Sequence, residues 1–328
     1  MSSTTSASNG SYSFSDAPSG GRVAGVFEGP WGAVYNCNGS NAGSCVPAPA
    51  MQPKASSCAT ITSPQVDLQF GSSQAPDDEF AVALVNSFLA VKRTYEWFTT
   101  LNPGSTALDD PEFDVGANAT SIPGNAGYLQ NGTIRRGIVF SKAAVSTAGD
   151  RPGSFNNMAF GTVVSHEFGH SIPDAIAVVK GRPLFGVGAP WHEGTADVIA
   201  AFTWDTPIMY EGQYNDPNIL PENNFQRRLD IPDVRLSEPD TLPDWCRFEF
   251  SIYAPHCDAL SLSGAFWDLR EIAGEATADR IFMDYLWITG GDMNVGTLDE
   301  VLAADDDNDG NILNGTTNST AILEAFGR

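Results

Sequence analysis

Residues 165–171 read Ser-His-Glu-Phe-Gly-His-Ser and contain the pattern His-Glu-x-x-His, around which the rest of the chain can be interpreted. The preceding residues are mostly apolar and recur at helical spacing, which predicts a largely buried helix over residues 157–171. Side chains four positions apart lie on one helix face, so His166 and His170 can direct both imidazoles to one point. Because a neutral imidazole is a good zinc ligand, the pattern predicts half of a metal site.

Glu167 follows the first of these histidines and would project beside the metal rather than onto it. A carboxylate there can accept a proton from water as a general base. Two histidines and a glutamate can also form a polar patch or a satisfied core pair, so the interpretation requires a third ligand elsewhere. A metzincin would have glycine at 173 and histidine at 176, but this chain has Pro173 and Ile176. We also expect Pro173 to end the helix.

The third ligand is predicted on a second helix, over residues 190–202. Glu193 and Asp197 are four residues apart and therefore share one face of that helix. We expect Glu193 to bind zinc and Asp197 to accept the outer N–H of a ligand histidine, His166 being the preferred one. The alternative is a solvated acidic helix face, which the neighbouring Ala, Val, Ile and Phe residues disfavour.

The order His166-Glu167-x-x-His170, then Glu193-Gly194-x-x-Asp197, resembles the Glu-zincin metallopeptidases, and within them the thermolysin and fungalysin group. The resemblance implies an α+β fold with an N-terminal lobe of mixed β-sheet and helix. A mainly helical C-terminal lobe would follow, with the active-site helix between the two. It also implies a zinc-dependent endopeptidase in which one catalytic Zn²⁺ is held by His166, His170 and Glu193.

Further residue roles follow from that resemblance. His256 precedes a Ser-Gly stretch and corresponds to the imidazole that stabilises the oxyanion, with His192 as the alternative. Asn125 and Ala126 match the edge-strand segment that binds the substrate backbone. The alternative is that Asn125 and Ala126 belong to an ordinary sheet edge with no role in substrate binding. The strands on either side of Asn131-Gly132 are predicted to form a β-hairpin.

The chain divides into three predicted regions. Residues 1–21 are rich in Ser and Gly and form a flexible leader. Residues 22–175 form the N-terminal lobe, which includes a helix over Phe80–Leu101. Residues 176–328 form the helical lobe, with helices from Ser263 onward and over Ala276–Trp287.

Composition limits the classes of partner. The net charge of −23, with only four lysines, disfavours binding to nucleic acid and to anionic lipid. No run of 18 apolar residues occurs, so no membrane span is expected. The predicted partner is a polypeptide substrate, and we expect a monomer.

An acidic loop near the C-terminus fits the first half of a calcium-binding loop. Asp305, Asp307 and Asp309 precede Gly310 in the pattern D-x-D-x-D-G, but Thr316 stands where the pattern has glutamate. A structural Ca²⁺ site and an acidic turn between helices both remain open.

None of the five cysteines forms a C-x-x-C pair, which disfavours a cysteine zinc site. Cys246 and Cys257 are expected to pair, and two of Cys37, Cys45 and Cys58 are expected to form a second bridge. Six Asn-x-Ser/Thr sequons favour secretion.

Two other functions remain open at this point. One is a calcium-stabilised extracellular surface or adhesion protein with a vestigial zinc site. The other is an aminopeptidase of the same clan, although the Gly-x-Met-Glu-Asn segment of that branch does not occur in this chain.

Overall fold

The N-terminal part of the chain combines a mixed β-sheet with one long helix, and the C-terminal part is largely helical. The computed structural model describes residues 22–37, 56–60, 79–120, 122–131, 134–146, 153–182, 188–220, 223–231, 254–294, 296–306 and 316–327. This arrangement is the α+β class that the sequence predicts. The predicted leader over residues 1–21 lies outside the described residues.

The strands occur mainly before residue 160. They are β1 (Arg22–Val26), β2 (Glu28–Gly29), β3 (Gly32–Asn36), β4 (Ser56–Thr60), β5 (Asp114–Ala119), β6 (Ala126–Asn131), β7 (Ile134–Ser141), β8 (Ala144–Ser146), β9 (Gly153–Phe155), β10 (Ile208–Met209) and β11 (Arg227–Arg228). The helices are α1 (Glu79–Leu101), α2 (Gly161–Gly169), α3 (Ser171–Val179), α4 (Ala189–Trp204), α5 (Ala254–Ala273), α6 (Glu275–Ile288), α7 (Thr297–Ala304) and α8 (Ser319–Phe326).

The main sheet has the order β2-β3-β5-β7-β6. Strands β3, β5 and β7 are parallel, whereas β2 and β6 pair antiparallel with their neighbours. Strands β6 and β7 form the predicted hairpin, with Tyr128 opposite Ile138. Strand β6 therefore lies at an edge of this sheet, as the sequence predicts for the segment that begins near Asn125.

Helix α2 carries the His-Glu-x-x-His pattern and packs against α1 and α4. The hydroxyl of Ser165 accepts hydrogen bonds from Thr94 of α1 (2.8 Å) and from the indole N–H of Trp204 of α4 (2.7 Å). Gly169 allows α4 to come close, since a Cβ atom there would lie 3.2 Å from the Cα of Ala196. The two helices that carry the predicted ligands are thus in direct contact.

Three predicted helix boundaries were wrong. Helix α2 begins at residue 161 rather than 157. Pro173 does not end the helical segment, because it lies in the first turn of α3, where a missing N–H costs no hydrogen bond. Helix α5 begins at Ala254 rather than Ser263, so His256 lies in its first turn.

The other helix predictions agree closely with the structure: α1, α4 and α6 differ from the predicted ranges by at most two residues at either end. Within the described part of the chain, no helix combines the length and apolarity needed to cross a membrane.

Candidate metal centre

Three of the predicted site residues converge, although they come from two helices. Oε2 of Glu193, on α4, lies 3.1 Å from Nε2 of His166 and 3.6 Å from Nε2 of His170, both of which come from α2. Both imidazoles are buried, and the Glu193 side chain is 21 % exposed. The contact between α2 and α4 therefore brings the three predicted zinc ligands to one point that solvent can reach.

His256 reaches the same carboxylate from the first turn of α5. Its Nδ1 atom lies 3.0 Å from Oε2 of Glu193, and its side chain is 25 % exposed. One candidate ligand atom from each of His166, Glu193 and His256 lies within 4.8 Å of the others. His256 thus stands beside the site, as predicted, but close enough to be a ligand itself.

The outer nitrogen of His166 has the partner that the sequence predicts. Nδ1 of His166 lies 2.7 Å from Oδ1 of Asp197, which is fully buried. Arg227 of β11 binds both oxygens of that carboxylate, and the Nε bond to Oδ2 is 2.7 Å long. The arginine is itself buried and was not predicted.

The carboxylate of Glu167 is buried beside the ligands and meets a second residue that was not predicted. The hydroxyl of Tyr210 donates a hydrogen bond to Oε1 of Glu167 over 3.2 Å. Tyr210 directly follows β10, which pairs with β11, so Tyr210 and Arg227 come from the same two-stranded ribbon.

His170 has a different environment, made mainly of rings. Its imidazole stacks on His192, with ring centroids 4.4 Å apart, and on Tyr128, with centroids 5.7 Å apart. Among the described residues, its Nδ1 atom has no hydrogen-bond partner. Asp174 joins the two flanking rings, because it accepts the Tyr128 hydroxyl at 2.6 Å and lies 3.4 Å from Nε2 of His192.

The protein groups shift one another's pKa values strongly. Burial raises the pKa of Glu167 to about 7, since a buried carboxyl favours its neutral form. Burial would also raise the pKa of Glu193, but the imidazoles of His170, His166 and His256 outweigh burial and hold it well below its usual range. Burial opposes protonation of His166, yet Asp197 raises its pKa to about 9.

Burial would likewise raise the pKa of Asp197, but Arg227 and His166 lower it to about 2. Burial, reinforced by the neighbouring imidazoles and opposed by Glu193, holds the pKa of His170 well below its usual range, so this imidazole is neutral and able to bind a cation.

These residues fit a divalent metal ion. Imidazole nitrogens and one carboxylate are the donor set that zinc prefers in proteins. The Glu193 carboxylate is crowded by nitrogen atoms: Nε2 of His166, Nε2 of His170 and Nδ1 of His256 all lie within 3.6 Å of its Oε2 atom. Asp197 further supplies the outer carboxylate that usually orients a metal-bound histidine.

The predicted substrate residues lie where the sequence places them. Asn125 is exposed, immediately before the edge strand, and Ala126 begins that strand. Their contact with a substrate stays a prediction.

The calcium site and both disulfides also stay predictions. Asp305 is buried, and its carboxylate accepts hydrogen bonds from Arg280 (2.6 Å) and from the backbone N–H of Asn318 (2.6 Å). Asp307 and Asp309 lie outside the described residues. Cys37 and Cys257 are buried, while their predicted partners fall among residues whose side chains are outside the described part.

Arg227 and Tyr210 carried weak sequence signals. Arg227 follows a proline-rich stretch with no regular period, and its partner Asp197 is thirty positions earlier. A buried carboxylate usually needs a cationic partner, so the position of Asp197 among apolar residues is the feature that could have suggested a cation nearby.

Comparison with known proteins adds no relative. No model of a known protein family matches this chain, and no curated protein is significantly similar to it in sequence.

Proposed function

We propose that this protein is a zinc-dependent endopeptidase. The observation that carries the proposal is the position of Glu193, whose carboxylate meets imidazoles of the His-Glu-x-x-His helix at 3.1 and 3.6 Å. Two histidines at helical spacing occur by chance, but a third ligand with Asp197 on the outer side of His166 is a far more specific arrangement.

His166, His170 and Glu193 would hold the ion, and Asp197 would fix the ring of His166. Bound zinc supplies Lewis acidity that polarises the scissile carbonyl group. Glu167 acts as the general base: its carboxylate accepts a proton from the attacking water and passes that proton to the leaving amine. In the metal-free protein burial raises the pKa of Glu167 to about 7, so this carboxyl holds a proton more readily than an exposed glutamate does.

His256 completes the proposed site. Its imidazole is partly exposed at the metal centre and can donate a hydrogen bond to the carbonyl oxygen as negative charge develops there. Strand β6 supports a polypeptide substrate, because among the described strands it lies at an edge of the main sheet, and an extended peptide can add to an edge strand.

Replacement of Glu167 by glutamine tests this function most directly. We expect turnover of an unfolded protein such as casein to fall by roughly 100-fold to 10,000-fold, the range attributed to a general base. Zinc content should stay at the wild-type value, because Glu167 is not a ligand. Glu96→Gln, on the exposed face of α1, serves as the matched control and should keep full activity.

Normal turnover by Glu167→Gln would contradict the mechanism. Zinc-loaded wild-type protein that cleaves no unfolded protein would contradict the proposed function itself. Cleavage of peptides with a free N-terminus but not of blocked peptides would favour the aminopeptidase alternative.

The position of His256 favours one second candidate, a closed metal site with a structural role. Structural zinc sites have four protein ligands, whereas catalytic sites keep one position open. His256→Ala separates the two. If the variant loses turnover but keeps its zinc affinity, the peptidase is supported. If the variant binds zinc at least tenfold more weakly and the wild-type protein has no peptidase activity, the closed structural site is supported.

A further inference from the structure

Tyr210 combines three properties that are rarely found together in a residue that only fills space. It is 4 % exposed, it contacts the metal-site residues, and its backbone is left-handed, with φ at 61°. A bulky residue with positive φ is a conformational outlier, and such outliers persist only where the surroundings enforce them. The residues packed around Tyr210 must therefore enforce this left-handed backbone conformation.

Contacts on three sides hold Tyr210 in place. Its backbone N–H donates to Oγ1 of Thr162, in the first turn of α2, at 3.0 Å. Its ring meets the His166 ring edge-on, with centroids 5.6 Å apart. The guanidinium of Arg227 lies over the ring, 5.0 Å from its centroid.

These contacts aim the phenol at one acceptor, Oε1 of Glu167, at 3.2 Å. Among the described residues, no other hydrogen bond to the Glu167 side chain occurs. A carboxylate held by one oxygen loses much of its rotational freedom, and its second oxygen is left to accept a proton.

We propose that Tyr210 is a positioning residue for the general base Glu167. The ribbon of β10 and β11 then has two tasks: Arg227 holds the His166 ligand through Asp197, and Tyr210 holds Glu167. This inference rests on the proposed peptidase function, and it adds a residue that acts through Glu167 rather than on the substrate.

The test is the kinetic profile of Tyr210→Phe, which keeps the ring and its packing and removes only the hydroxyl. We expect kcat to fall by about 10-fold to 100-fold, the usual effect of losing a hydrogen bond to a charged group. KM and zinc affinity should stay unchanged, because neither substrate nor metal loses a contact. A purely structural role would lower stability and leave the kcat of the folded protein as it is.

Tyr285→Phe is the matched control. Tyr285 is also a buried tyrosine, and its hydroxyl accepts a hydrogen bond from Trp191 at 2.8 Å. We expect this variant to lose stability and to keep its kcat.

A second pair of variants decides the matter if Tyr210→Phe does not fold. Thr162→Val removes the acceptor of the Tyr210 backbone N–H and should lower kcat in the same way, whereas Thr162→Ser keeps the hydroxyl and should restore it. An active wild type whose Tyr210→Phe or Thr162→Val variant keeps kcat within about twofold overturns this inference alone. A wild type without peptidase activity overturns the proposed function and this inference together.

Discussion

The two histidines of the His-Glu-x-x-His helix differ in how the protein holds them. His166 is held by charge, since Asp197 contacts its Nδ1 atom at 2.7 Å and Arg227 neutralises that carboxylate. His170 is held by ring stacking between Tyr128 and His192, and among the described residues its Nδ1 atom has no hydrogen bond.

The difference indicates how the two halves of the site should respond to mutation: His166 with Asp197 and Arg227, and His170 with Tyr128 and His192. A buried ion pair is strongly destabilised when one member is removed, because the other charge then remains buried without compensation. Ring stacking contributes less and tolerates the loss of one polar atom. His166 and His170 are equivalent in the sequence pattern, but we expect the groups that hold His166 to contribute more free energy than those that hold His170.

The largest expected effect is that of Asp197→Asn, which removes the charge on the His166 side. Zinc affinity should fall by about 10-fold to 100-fold, because the outer partner of a ligand histidine is weakened. The metal-free protein should also lose about 3–5 kcal/mol of stability, since the buried Arg227 is left without a counter-charge. Chelator competition measures the first quantity and urea denaturation the second.

A double variant separates the two effects. Asp197→Leu combined with Arg227→Met replaces the buried ion pair by apolar side chains, which is often neutral or stabilising. Stability should therefore return while zinc affinity stays low. If both recover, Asp197 does not orient His166, and the contrast between the two histidines has no functional meaning.

The sequence allowed the ligands to be predicted because helix geometry is local. A spacing of four residues places His166 above His170, and the same rule places Glu193 above Asp197. That these two pairs meet depends on the packing of α2 against α4, which the resemblance suggested and the Gly169 contact permits. The ligand set is therefore the part of the site that short-range patterns can specify.

Arg227 and Tyr210 could not be predicted for the opposite reason. Arg227 lies in a ribbon with only two residues on each strand, and Tyr210 directly follows that ribbon's first strand, so neither belongs to a segment long enough to have a detectable period. Their roles depend on long-range contacts, and nothing in their neighbouring residues indicates burial. Similarly, the helix predicted from Ser263 onward leaves out the first turns of α5, which carry His256, because Pro255 and the polar residues after it weaken the helical pattern.

The smallest expected effects are on the His170 side, and Tyr128 is the residue that tests them. Tyr128→Phe keeps the ring on His170 and removes only the hydroxyl that binds Asp174 at 2.6 Å. We expect zinc affinity to change by less than about threefold and stability to fall by about 1 kcal/mol. Tyr95→Phe is a closely matched control, because its hydroxyl also binds a carboxylate, that of Asp109, at 2.6 Å.

Tyr128→Leu then removes the ring and should lower zinc affinity by a further twofold to tenfold or so, the range expected from loss of an aromatic contact. An effect of Tyr128→Phe as large as that of Asp197→Asn would mean that the hydrogen bond to Asp174, rather than ring stacking, holds the His170 half of the site. The two halves would then be supported alike, by buried carboxylates, and Asp174 would take the part that Asp197 has for His166.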